Sequence, residues 1–271
     1  MKTKYVKKVL MCRPDFFSVE YVINPWMIPG SVDRAKALEQ WHALVEIYRS
    51  LSIKVEHITQ RQHLPDMVFS ADQAIILQST ALMSNFKYRE RRGERPAYQD
   101  WFAQHNFTIQ HLPQDHYFEG TGECLIWNNR IFIGVGFRTK EESCALIAST
   151  LNMEVIPLEL VNPQFYHLDT CFFPLSNKVA FYYPEAFSPE SREQLQKHIP
   201  HLIPFSNDEA YGFCANSIAT DHHVVLQKGN KSFKARLEKM KYKVVEADVS
   251  EFIKAGGGIH CLTNVVEEAY E

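Results

Sequence analysis

The chain has no long apolar run, no strong charge of either sign and no paired cysteines. Nothing in it approaches the ~18 consecutive apolar residues of a membrane-spanning helix, so no helical membrane span is expected. A formal net charge of −3 over 271 residues gives no electrostatic footing for nucleic acid or an anionic membrane. The six cysteines, Cys12, Cys124, Cys144, Cys171, Cys214 and Cys261, stand singly, without a CxxC pair or zinc-like spacing. Four of them (Cys12, Cys124, Cys144 and Cys171) lie in apolar contexts, which fits reduced thiols in a cytosolic core. His222 and His223 are adjacent, and neighbours on a strand face opposite ways, so no metal pair is expected there. The basic start Met1-Lys2-Thr3-Lys4 is followed only by Val9-Leu10-Met11-Cys12 before Arg13, too short for the apolar region of a signal peptide. The expectation is a cytoplasmic protein. No linker, low-complexity stretch or charge run divides it, so residues 1–271 read as one domain.

What is present is ample core material, 45% hydrophobic and 13% aromatic, arranged in a recurring strand–helix–strand unit. The first unit runs from a strand at Val6–Cys12 through a helix near 33–51 to Lys54–Thr59. That helix carries Leu38, Trp41, Val45 and Tyr48 at helical spacing. The second opens with Met67–Leu77, has a helix near Pro96–His105 and closes with Phe107–Leu112. The third opens with a hairpin around Asn128-Asn129, and its helix is expected to start at Thr139, with Glu142 completing a capping box. The fourth carries Ser188-Pro189 as helix cap and first residue. The fifth runs from Phe213–Ala219 to Tyr242–Val249. Five such units fit a circular α/β arrangement with helices outside and strand-end loops facing a central site.

The polar motifs fall at the module junctions. Leu64-Pro65-Asp66-Met67-Val68-Phe69-Ser70-Ala71-Asp72 enters the second module and Phe118-Glu119-Gly120-Thr121-Gly122-Glu123 the third. Phe165-Tyr166-His167-Leu168-Asp169-Thr170 enters the fourth. Phe213-Cys214-Ala215-Asn216-Ser217 and Gly256-Gly257-Gly258-Ile259-His260-Cys261-Leu262-Thr263-Asn264 belong to the fifth. Three successive glycines free the backbone and remove bulk, so Cys261 is placed for close approach to a ligand. In a ring these junctions converge, bringing together a thiol, an imidazole and several carboxylates. Anions around one thiol oppose its ionisation, unless the substrate is a cation that offsets them. A guanidinium, planar and matched to bidentate carboxylates, is the natural candidate.

In this order, Asp72, Glu119, His167-Leu168-Asp169 and Cys261 resemble the guanidino-group-modifying enzymes of the pentein superfamily. These are the arginine deiminases, dimethylarginine dimethylaminohydrolases and amidinotransferases. The resemblance extends from Met11-Cys12-Arg13-Pro14 and Asn24-Pro25-Trp26-Met27 to Cys261-Leu262-Thr263-Asn264. It implies a five-bladed pseudosymmetric α/β propeller (the pentein fold), no cofactor and a small guanidinium substrate. Cys261 resembles the nucleophile that forms a covalent thiouronium intermediate, and His167 the acid and base that serves the leaving amine and then water. Glu119 resembles the carboxylate that positions the histidine. Asp72 and Asp169 resemble the clamp on the guanidinium, with Asp66 a second candidate and Phe69 beside them. Arg138 resembles the arginine that meets the substrate α-carboxylate, with Arg91 or Arg92 assisting from a loop.

Plainer readings exist for several of these. Asp72 also reads as a turn residue at a strand end, Glu119 as a loop carboxylate, and Arg91 and Arg92 as solvated charges. Within the family, His-Leu-Asp-Thr is more like arginine deiminases and amidinotransferases, whereas the compact length is more like dimethylarginine hydrolases. Similar short sequences that hydrolyse arginine twice, to ornithine, usually have asparagine where this chain has Asp72. The expected reaction is hydrolysis of a guanidino C–N bond to citrulline plus ammonia or a methylamine. Amidino transfer, double hydrolysis to ornithine and a non-catalytic relative are the other readings, and a homo-oligomer is left open.

Overall fold

The computed structural model describes residues 4–220 and 222–270, so Met1-Lys2-Thr3 of the basic start lie outside the described residues. Five three-stranded sheets follow one another, each built on one plan. Two strands pair antiparallel, and a third lies parallel to the central strand after a helical crossover. Parallel pairing requires such a crossover, which is why each unit carries one outer helix. The result is the five-bladed α/β propeller.

The second blade contains Ala74–Leu77, Thr80–Met83 and Thr108–His111, and the third Cys124–Trp127, Arg130–Val135 and Glu154–Glu159. The fourth contains Phe172–Pro174, Val179–Tyr182 and His201–Pro204, and the fifth Ile218–Ala219, His223–Gln227 and Lys243–Ala247. The first blade is different. Its central strand Lys4–Cys12 pairs parallel with Lys54–Ile58 and antiparallel with Asn264–Tyr270, so the last strand closes the ring. This strand, which follows Cys261, is not marked by any local pattern in the sequence.

Other differences have local causes. The strand expected at Met67–Leu77 is two 3-10 turns, Pro65–Val68 and Ser70–Gln73, before a strand of only four residues. The helix expected to start at Thr139 is Glu141–Leu151, capped by Lys140 with no side-chain bond. Gly136, at φ +117°, donates its N–H to the Thr139 carbonyl (3.2 Å), and this turn buries Thr139 ahead of the helix. Most of Phe213–Ala219 is a loop, and a short helix at Asn207–Tyr211 precedes it, held by a Ser206/Glu209 capping box. The hairpin at Asn128-Asn129 is present with both residues at positive φ, as a two-residue turn of the I′ kind demands. Ser188 caps the helix Pro189–His198 as expected.

The helix Arg34–Ser50 buries Ala37, Trp41, Leu44, Val45 and Tyr48, leaving Leu38 half-buried. Tyr48 reaches through to bond Thr263 Oγ1 (2.8 Å), tying the outer helix to the segment that carries Cys261. Among the described residues no helix is long and apolar enough to cross a membrane.

The segments leading into the first strands of the blades turn tightly and bond to one another around the axis. Ala71 N–H donates to the Cys261 carbonyl (3.1 Å), and Thr121 Oγ1 donates to the Ala71 carbonyl (3.0 Å). His167 meets Glu119 (2.9 Å), Asn216 Nδ2 donates to the Asp169 carbonyl (3.3 Å), and Cys261 N–H donates to Asn216 Oδ1 (3.1 Å). The circuit links all five entry segments, so the side chains they carry share one centre.

Candidate active site

Cys261 is buried, and its thiol donates to Asp169 Oδ2 (3.1 Å) while accepting from Asn216 Nδ2 (3.1 Å). Asn216 Oδ1 accepts the N–H groups of Gly258 and Cys261, both at 3.1 Å, so one amide fixes the backbone and the sulfur together. The glycine run earns its place sterically. Gly256 lies at φ +91°, and a Cβ on Gly257 would overlap the Phe69 ring. Burial, followed by the charges of Asp169 and Asp72, pushes the Cys261 thiol well above its usual range, so in the free enzyme it is a thiol.

His167 is also buried. Its Nε2 lies 2.9 Å from Glu119 Oε2, which also accepts from Arg138 Nη1 at 2.7 Å. Burial favours the neutral form of Glu119, but Arg138, His167 and Arg91 together outweigh it and hold the carboxyl well below the usual carboxylate range. An ionised carboxylate only accepts, so the His167 proton sits on Nε2 and Nδ1 is left for chemistry. His167 Nδ1 faces Asp72 Oδ1 at 3.8 Å, and neither atom has a hydrogen-bond partner. The space between them exists because residue 122 is glycine. A Cβ there would overlap Asp72 Oδ1 and stand 2.9 Å from His167 Nδ1.

The two clamp candidates each have one oxygen engaged and one open. Asp72 Oδ2 accepts from Arg91 Nη1 (2.6 Å), and Asp169 Oδ2 binds Cys261 and His260 Nδ1 (2.8 Å). Asp72 Oδ1 and Asp169 Oδ1 are both buried without partners. Buried acceptors of this kind await a donor, and two carboxylate oxygens await a cationic one. Asp66 is engaged by Tyr21, which donates to its Oδ2 (2.9 Å), and burial pushes its carboxyl up to about 6 against the pull of Arg91.

The three arginines are each held by partners within the chain. Arg91 is buried in a 3-10 turn at Arg89–Arg91, bonded to Glu94 (2.9 and 3.0 Å), to Asp72 and to the Asp66 carbonyl (3.2 Å). Its guanidinium lies over the Phe86 ring. Arg138 is sandwiched between Tyr88 and Tyr166, each ring centroid 4.7 Å away, and Nη2 donates to the Ile23 carbonyl (2.9 Å). Arg138 is therefore engaged by Glu119. Arg92 bonds the Phe86 and Lys87 carbonyls and lines a separate surface cleft of about 360 Å³ with Asn85, Arg95 and Tyr117. The void over the site, bounded by Ile23, Asn24, Asp66, Arg91, Arg138 and Tyr166, is about 10 Å³. That is the size of a single water.

Two residues of the site had no assigned role in the motif reading, Asn216 and His260. Asn216 was legible by analogy. Like Asp72 it lies two residues before the first strand of its blade. His260 is marked only by its place beside Cys261.

A family model described as N,N dimethylarginine dimethylhydrolase, eukaryotic, matches residues 20–267. A bifunctional arginine dihydrolase/ornithine cyclodeaminase of Nostoc sp. is 36% identical over 96% of this chain, which spans only 38% of that protein. A dimethylarginine dimethylaminohydrolase of Mycobacterium tuberculosis is 36% identical over 97% of this chain and 86% of its own length. The N-terminal domain of a cyanobacterial arginine dihydrolase, crystallised with substrate as a cysteine-substituted mutant, superposes with a TM-score of 0.93. It is 36% identical, with 96% of this chain and 97% of that chain covered.

Proposed function

The chain belongs to the N,N dimethylarginine dimethylhydrolase family, and on that footing we propose that it hydrolyses a guanidino C–N bond of arginine or a close analogue through Cys261. The observation that carries the substrate class is the pair of open, buried carboxylate oxygens, Asp72 Oδ1 and Asp169 Oδ1, beside the thiol. A guanidinium supplies N–H donors to both. It also adds the positive charge that offsets the two anions and lowers the thiol pKa, so the nucleophile ionises as its substrate binds.

The residues then divide the work. As the guanidinium binds, the Cys261 thiol proton passes to His167 Nδ1; the thiolate attacks the guanidino carbon, and His167 gives that proton to the departing nitrogen as the C–N bond breaks. This leaves an S-linked thiouronium and an amine. Water attacks the same carbon, His167 Nδ1 takes its proton, and the C–S bond breaks to return the thiolate and release a ureido product. Glu119 stabilises the imidazolium through Nε2, and Arg138 keeps Glu119 ionised.

The open oxygens also favour one substrate within the class. In an N,N-dimethylated guanidinium one terminal nitrogen carries no hydrogen, so the other terminal nitrogen and the chain nitrogen alone would have to serve both oxygens, and an oxygen left unpaired would cost roughly 1–3 kcal/mol. An unsubstituted guanidinium satisfies both, which supports arginine and citrulline plus ammonia. A second hydrolysis to ornithine is the reading favoured by likeness to the dihydrolases, and Asp72 stands against it where similar sequences have asparagine. Incubation with arginine, monomethylarginine, dimethylarginine and agmatine, with products identified by mass, tests the proposal. Citrulline from arginine supports it, and ornithine would replace the single step by two. Product only when an amine acceptor is added would make the enzyme a transferase.

A further inference from the structure

Glu123 ends the short helical turn Gly120–Glu123 that Glu119 caps, and the mechanism above makes no use of it. It is fully buried, and neither carboxyl oxygen has a hydrogen-bond partner. Its head lies over the backbone of the central strand of the third blade. A Cβ on Gly134 would stand 2.6 Å from Glu123 Oε2, 2.9 Å from Leu160 Cδ1 and 3.1 Å from Leu168 Cβ. The slot is thus apolar and made by a missing side chain, and Leu168 joins it directly to His167 and Asp169. The charged groups that face Glu123 are Glu119 first, then Arg138, Asp169 and Asp72, with the thiols of Cys124, Cys144 and Cys171 around it. Arg138, the cation of this group, is already bonded to Glu119.

A carboxylate has no reason to be ionised there. Burial, and after it the charge of Glu119, pushes the Glu123 carboxyl well above its usual range. A neutral acid has an O–H to donate, and Glu119 has a buried oxygen to receive it. Oε2 of Glu119 takes both His167 and Arg138, while Oε1 is without a partner. We propose that Glu123 is a positioning residue, a carboxylic acid that keeps its proton and directs it to Glu119 Oε1, so that Glu119 meets His167 through Oε2 alone. Glu119 then has one fixed orientation and His167 one fixed tautomer. Glu123 touches no reacting atom and acts through Glu119. This inference rests on the guanidino-hydrolase reading for its activity readout, but the protonation of Glu123 is measurable without substrate.

The test compares Glu123→Gln with Glu123→Met. Glutamine keeps a neutral donor of the same shape, and methionine keeps volume but loses the donor. Glu123→Gln is expected to retain most of kcat. Glu123→Met should lose about tenfold in kcat with KM little changed, the size of one hydrogen bond to a charged group. Its pH–rate profile should move as Glu119 is freed. Wild-type activity in both variants would overturn the positioning role, and an equal loss in both would overturn the protonated form by showing that a charge rather than a proton is needed. Independently of turnover, the infrared difference between the unsubstituted protein and Glu123→Gln at neutral pH should contain a carboxylic-acid stretch that shifts in D2O. Its absence would overturn the proposal even if the methionine variant failed to fold. A wild-type enzyme inactive on every guanidino compound would sink the functional reading and leave this infrared result standing.

Discussion

Cys261 Sγ and His260 Nδ1, from neighbouring residues, reach the same oxygen of Asp169, at 3.1 and 2.8 Å. That oxygen holds the thiol proton in the free enzyme, while the other oxygen of Asp169 is left open for a substrate. On the proposed reaction, Asp169 therefore restrains Cys261 until a cation arrives.

Replacing Asp169 by asparagine removes a negative charge from beside the sulfur, so the Cys261 pKa should fall. Thiolate absorbance titrated against pH, with Cys261→Ser as the baseline, should show ionisation at lower pH in Asp169→Asn. The same variant should bind arginine more weakly. A thiol titration that does not move would mean that Asp169 does not set the charge of Cys261.

Cys261→Ser should abolish turnover while leaving the thermal midpoint nearly unchanged, since the hydroxyl is close in size and keeps the contacts to Asn216 and Asp169. Full activity in this variant would exclude the covalent route.

Asp72→Asn should weaken guanidinium binding by on the order of 1.5–3 kcal/mol, the worth of a charged hydrogen bond. Calorimetry on the inactive Cys261→Ser background measures it free of turnover. Unchanged affinity would assign Asp72 to holding Arg91 alone.

Gly122→Ala should fold but lose about a hundredfold in kcat/KM, because the added methyl occupies the space between Asp72 Oδ1 and His167 Nδ1. Gly122 is not among the residues at positive φ, so no backbone strain contributes. Near-normal kinetics would show that the gap is not where the reacting group sits.

Arg138→Met should cost about 3–5 kcal/mol at neutral pH by leaving Glu119 buried without its main cation. With Arg138 present, the folded Glu119 pKa is depressed. Its stabilising contribution is full above the ordinary carboxylate pKa of about 4.3 and is lost as pH falls through the depressed one. Without Arg138, burial dominates and the folded pKa rises. The sign then reverses, with stability present below about pH 4.3 and lost as pH climbs through the raised value. Thermal midpoints measured across this interval should fall with rising pH in the variant, and a parallel profile in both proteins would refute the coupling.

The legible parts of this protein were those written locally. The hairpin at Asn128-Asn129, the Ser188-Pro189 helix start and the stripe of Trp41, Val45 and Tyr48 are short-range signals, and each is present in the fold. Thr139 and Glu142 carried an equally good local signal, and it was overridden by the turn from Gly136 to Thr139. The strand Asn264–Tyr270 was missed because its partner lies at the other end of the chain, and no local pattern encodes that pairing.

The sequence by itself determined the number of blades, the order of the entry segments and the kinds of side chain they carry, because periodicity and turn chemistry act over a few residues. Only the tertiary structure decided which charges meet. Arg91 and Arg92 are neighbours, yet one lies at the buried centre with Asp72 and the other lines an outer cleft. Glu119 and Glu123 lie in one turn, yet Arg138 and its neighbouring cations ionise the first against its burial, while an apolar slot over Gly134 keeps the proton on the second. Ionisation in a buried site depends on distances to every charge and on excluded water, and both come from residues remote in the chain.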